Sequence, residues 1–158
     1  MIPVKITIHS EGSDKEQKPI TLIAFGQLQE RGGATYVRYE ESAVTGMEGT
    51  KTTLKWTEDS LVVIRHGRYE HRQQYERGRN SQFQYKTPYF SVPMTVFTRQ
   101  LAILKEDKQW HVQLWYDIEM DNQDCGTNRL TIDIEEEEER GHETSLGRSS
   151  KSCRTESH

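Results

Sequence analysis

The stretch YVRYEE at residues 36–41, a turn through Thr45-Gly46, and EGTKTTLKW at 48–56 decide the fold. In the first run Tyr36, Arg38 and Glu40 share one side of an extended chain. In the second, Thr50, Thr52, Leu54 and Trp56 do so. A period of two in short runs rich in aromatic and β-branched residues, joined through glycine, predicts two antiparallel strands.

The same pattern extends in both directions. Towards the N-terminus, Arg31-Gly32-Gly33 is a hairpin signal, because glycines supply positive φ cheaply. Ile20 to Leu28 reads as a strand, with Pro19 at its start, where a missing N–H costs least. Val4, Ile6 and Ile8 form a first half-buried strand. Towards the C-terminus, Glu58-Asp59-Ser60 turns into a strand over Leu61–Arg65, and His66-Gly67-Arg68 turns into Tyr69–Tyr75. After a turn at 77–81, Phe83, Tyr85 and Thr87 alternate up to Pro88. Phe90, Val92, Met94 and Val96 share a face, and Arg99, Leu101 and Ile103 follow. Trp110, Val112, Leu114, Tyr116 and Ile118 give the cleanest alternation, a turn spans Asp121 to Thr127, and Leu130, Ile132 and Ile134 close the series.

About ten strands spaced by about 8–12 residues predict an all-β sandwich or barrel. Short hairpins favour strands that pair in chain order, so a single antiparallel meander barrel is preferred over a Greek key. Composition agrees. Only 32% of the 158 residues are hydrophobic and mean hydropathy is −0.90. A closed single layer needs one apolar face per strand, whereas a doubly wound fold needs two. The barrel domain is predicted over 1–136. Residues 137–158 are polar, with Leu146 the one large aliphatic side chain, and are predicted to form a disordered tail.

The net charge of −4 disfavours nucleic acid as a partner. Charge is uneven, with seven basic and two acidic residues between Arg65 and Arg99 and six acids between Asp133 and Glu139. Cys125 and Cys153 are too few for a disulfide framework and read as reduced thiols in a cytoplasm. No basic start leads into an apolar run, and the longest such run, Leu61 to Ile64, is far too short to span a bilayer as a helix.

No chemistry is encoded in a recognisable motif. Gly46 to Thr52 fails as a nucleotide loop, because Thr50 separates glycine from lysine and no helix follows. His66 and His71 bracket a turn without further metal-ligand spacing. No serine sits in a nucleophile motif. The expectation is a non-enzyme without cofactor, and the chain specifies no oligomeric state.

Polar residues on otherwise apolar faces are the one functional clue. Were those faces inward, Tyr36, Arg38, Glu40, Thr50, Thr52, Arg65, Tyr75 and Tyr85 would surround a lumen that holds a small polar or anionic molecule. Arginine would supply charge, tyrosine contact area and threonine orientation. Two alternatives stand beside it: an internal Arg–Glu–Tyr network that only closes the barrel, and a facing that puts these groups in water. A separate reading is an interaction module acting through the rim, the acidic tail, or a strand edge opened by Pro88 and Pro93.

Tyr36-x-x-Tyr39-Glu40, Gly49-Thr50-Lys51-Thr52, Arg65-x-Gly67, Tyr85-x-Thr87-x-Tyr89, Thr98, Tyr116-x-Ile118 and Asn128-x-Leu130-x-Ile132 occur in that order. Together they resemble the bacterial DUF1934 (YwiB-like) family, over roughly Val4 to Glu135. The resemblance implies a lipocalin-like, or calycin, β-barrel and no established activity. Phe90 stands where the family often has glycine, so it implies a reshaped bend there.

Overall fold

A computed structural model of the chain describes residues 1–13 and 18–137. The tail expected over 137–158 falls outside the described residues, apart from Glu137. Ten strands and no helix make up the described residues: β1 Ile2–Gly12, β2 Ile20–Arg31, β3 Ala34–Glu40, β4 Thr50–Trp56, β5 Ser60–Gly67, β6 His71–Glu76, β7 Asn80–Lys86, β8 Ser91–Glu106, β9 Gln109–Met120 and β10 Gln123–Glu136. Among the described residues, no helix is long and apolar enough to cross a membrane.

All pairings are antiparallel, in the order β6-β5-β4-β3-β2-β1-β10-β9-β8-β7. The first and last strands therefore meet, Ile6 opposite Ile134, and the meander closes into a barrel. The seam falls between β6 and β7. One backbone bridge crosses it, with Glu70 N–H donating to the Lys86 carbonyl at 3.1 Å. Rings fill the rest: His71 stands 4.8 Å from Tyr85 and 5.7 Å from Phe83, centroid to centroid.

Register decides which side chains enter the barrel. Val37 lies opposite Leu54, Leu54 opposite Val63, and Tyr39 opposite Thr52, and all five are buried. Tyr36, Arg38 and Glu40 therefore point outward, correcting the inward placement considered for that face of β3. Tyrosine at both 36 and 39 makes the two faces of β3 look alike in sequence. Burying Arg38 and Glu40 would strip two charges of water, whereas Val37 loses nothing by going in. Outside, the Tyr36 ring carries the Lys55 ammonium at 5.5 Å.

Two other expectations change. Pro93 does not open an edge, since the β7–β8 ladder runs unbroken from Asn80–Phe97 to Lys86–Ser91, with Pro93 opposite Gln84. Pro88 sits in the connection 87–90. The long turn expected at 121–127 is a tight one, because Asp121 and Asn122 both take positive φ, as a two-residue hairpin requires. Cys125 consequently lies in β10, at an irregularity between Asp124 and Thr127. In β8 the inward phase shifts from Val96 and Thr98 to Leu101 and Ile103 at a bulge between Thr98 and Gln100.

The barrel's two ends differ. Where β4 turns into β5 and β8 into β9, the interior is apolar: Trp56 meets Trp110 edge-on at 6.3 Å, over Leu28, Leu61 and Ile134. Such an aromatic pair adds about 1 kcal/mol beyond its burial. Polar side chains collect at the opposite end, under the connections 41–49 and 68–70.

Candidate functional site

The polar end follows from the phase of three strands. Thr35, Val37 and Tyr39 face inward, so Glu41, next in the same phase, also enters; its residue is 7% exposed. Thr52 sits opposite Arg65, and Arg65 opposite His71. The register therefore brings an acid, a base and an imidazole to one level of the barrel.

Glu41 accepts the Thr52 hydroxyl on Oε2 and the Thr45 hydroxyl on Oε1 at 3.1 Å. Its Oε2 lies 3.8 Å from Arg65 Nε, an ion pair too long for a hydrogen bond. Arg65 Nη1 instead donates to His71 Nε2 at 2.9 Å. A guanidinium has no acceptor, so this imidazole is neutral and carries its proton on Nδ1. Both that Nδ1 and Arg65 Nε are buried without a hydrogen-bond partner.

Burial, reinforced by the Arg65 charge, lowers the His71 pKa to about 4. The folded state thus binds the proton less readily than the unfolded chain, whose imidazole titrates near 6.5. The stability this contributes is complete above about pH 6.5 and is lost as pH falls towards 4. NMR titration is expected to show the His71 ring holding its neutral signature down to about pH 4, and His71→Phe to flatten the fall in stability across that window. A ring titrating near 6.5 would place His71 in water.

A cavity of about 340 Å³ opens beside this cluster inside the barrel. Arg65, Glu41, Tyr39, Gln73 and Tyr75 give it a polar wall; Leu22, Leu54, Val63, Leu130 and Ile132 give it an apolar one. Its volume lies near the lower end for small-molecule sites, about 300–1,000 Å³. Burial first, and the Glu41 charge next, push the Tyr39 hydroxyl well above the ordinary tyrosine pKa. Burial does the same for Tyr75, whose hydroxyl donates to Gln73 Oε1 at 2.8 Å. Both phenols are neutral donors at any physiological pH.

Of the eight residues expected around a lumen, Arg65 and Tyr75 line this cavity. Thr52 is spent on Glu41, and Thr50 accepts the Tyr69 N–H at 3.1 Å, so both act on the protein itself. Tyr85 packs against His71 at the seam, and burial raises its pKa. Tyr36, Arg38 and Glu40 border a groove on the outer surface instead. Glu41 and Tyr39 went unrecognised. The signal for Glu41 was its phase with Val37 and Tyr39, passed over because the 36–41 strand was read with Tyr36, Arg38 and Glu40 as its inward side. No three His, Cys, Asp or Glu side chains gather in metal-holding geometry among the described residues.

The family profile of DUF1934, a domain of unknown function, matches residues 4–132. The chain belongs to the DUF1934 family. Its fold is similar to that of the ywiB protein from Bacillus subtilis, known from a crystal structure. The two share 18% identity, with a TM-score of 0.75 over 87% of this chain and 93% of that one. No curated protein matches the sequence. Two stretches by which this chain resembles the DUF1934 family, around Gly49–Thr52 and Arg65-x-Gly67, supply the threonines and the arginine of the polar end.

Proposed function

We propose that this DUF1934 barrel binds a small molecule in its lumen, with the ligand's polar end held at Arg65 and its apolar part against Leu22, Leu54, Leu130 and Ile132. The observation that carries this reading is Arg65, which lines a cavity of about 340 Å³ and whose Nε–H is buried without an acceptor. A buried charged donor left without a hydrogen-bond acceptor costs free energy that a ligand's acceptor recovers. The arrangement is binding chemistry: one arginine, neutral phenols and an amide, as in a lipocalin-like carrier. Cys125, an exposed free thiol, suits the reducing cytoplasm.

Native mass spectrometry of protein purified without denaturant is the test. A bound mass that survives desalting and is lost in Arg65→Met is expected; an empty barrel that takes up nothing from a metabolite extract refutes the proposal. A partner strand added at the β6–β7 seam is the weaker reading, because the His71, Phe83 and Tyr85 rings already occupy that gap.

A further inference from the structure

The polar wall also selects the ligand's charge, an inference that rests on the lumen being a ligand site. The wall carries one cation and one anion. Arg65 commits Nη1 to a neutral imidazole, and both Glu41 oxygens already accept hydroxyls. With Glu41 3.8 Å from Arg65 Nε, the site is neutral before anything enters. Among the residues that line the cavity, the buried donor without an acceptor is the Arg65 Nε–H.

We infer that the cavity takes uncharged amphipathic molecules whose polar end is a hydrogen-bond acceptor, a carbonyl or an amide, and rejects the corresponding carboxylates. A carbonyl oxygen accepts the free N–H and adds no charge. An amide's own N–H groups find acceptors in the Glu41 carboxylate and the Gln73 side chain. A carboxylate brought to the same N–H would lie beside Glu41, so that two anions share one guanidinium away from bulk water. Like charges so placed cost several kcal/mol, and one of them takes up a proton or leaves. The side chain of Glu41 is 1% exposed, so water does little to screen it. The apolar wall, continuous through Leu54, Val63 and Ile132, asks for an aliphatic or aromatic body rather than a sugar.

Decanamide and decanoate differ in charge at one end and share the rest, and titrating each calorimetrically into the full chain at neutral pH decides the matter. Decanamide is expected to bind about a hundredfold more tightly than decanoate. Glu41→Gln removes the anion and keeps the shape, and is expected to shrink that ratio to about tenfold or less. Arg65→Met is expected to weaken decanamide about tenfold, which locates binding at this wall. Decanoate binding the wild-type chain as tightly as decanamide overturns charge selection and leaves the lumen reading intact. If neither probe binds, the lumen reading falls with it. Should Glu41→Gln not fold, the wild-type comparison decides alone.

Discussion

Glu41→Ala is expected to destabilise the barrel by about 3 kcal/mol, read as a lower urea midpoint with an unchanged slope. The variant strands two groups. Arg65 loses the counter-charge that offsets its desolvation, and the Thr52 hydroxyl loses its acceptor, while the Thr45 hydroxyl keeps the Ser42 carbonyl at 3.1 Å. Removing one member of a buried ion pair typically costs about 3–5 kcal/mol, because the remaining charge stays buried and uncompensated. The Arg65 side chain is 19% exposed, so water reaches part of the guanidinium and the lower figure applies. Removing both charges tests the cause. Glu41→Leu combined with Arg65→Met is expected to cost less than the two single changes added together, since neither charge is then left alone. A Glu41→Ala variant within about 0.5 kcal/mol of wild type would match an exposed carboxylate and would dissolve the polar cluster.

How far the sequence reveals this site depends on what each residue's alternation can say. The order of strands was legible because nearly every hairpin carries its own turn chemistry, and the closure of β1 on β10 follows from a meander with one hydrophobic face. The bulge in β8 left a trace that was not read as one, the jump from even-numbered Val92, Met94 and Val96 to odd-numbered Leu101 and Ile103. The facing of β3 was not legible, because its two sides offer Tyr-Arg-Glu and Val-Tyr-Glu, and only the register against Leu54 separates them. That ambiguity assigned Arg38 and Glu40 to the interior in place of Tyr39 and Glu41. Thr50 and Thr52 were placed correctly inside, yet their hydroxyls serve Tyr69 N–H and Glu41. Strand periodicity tells which way a side chain points and nothing about which partner it finds across the barrel.

Gly67→Ala is expected to cost about 3 kcal/mol and to disturb the polar end without touching any of its side chains. Gly67 sits at the end of β5 with φ +130°, a conformation that side chains beyond glycine rarely adopt and that costs of order 1–3 kcal/mol. Space is lacking as well. A Cβ there would stand 2.3 Å from the Gly49 carbonyl oxygen and 3.1 Å from Thr50 Cα, both backbone atoms. Thr50 lies opposite Gly67 and Thr52 opposite Arg65, so the strands can relieve the clash only by parting where Thr52 and Arg65 are aligned. Gly32→Ala is the matched control: its φ is +61° and nothing lies within 4 Å of the added atom, so a cost of about 1 kcal/mol is expected from conformation alone. Denaturation of the two variants side by side separates backbone strain from steric approach. If Gly67→Ala proves no costlier than Gly32→Ala, β4 and β5 do not meet as closely as described, and Arg65 is not held by this contact. If it is costlier, the Gly67 position that marks the family resemblance owes its glycine to that approach, which sets the Arg65 guanidinium between Glu41 and His71.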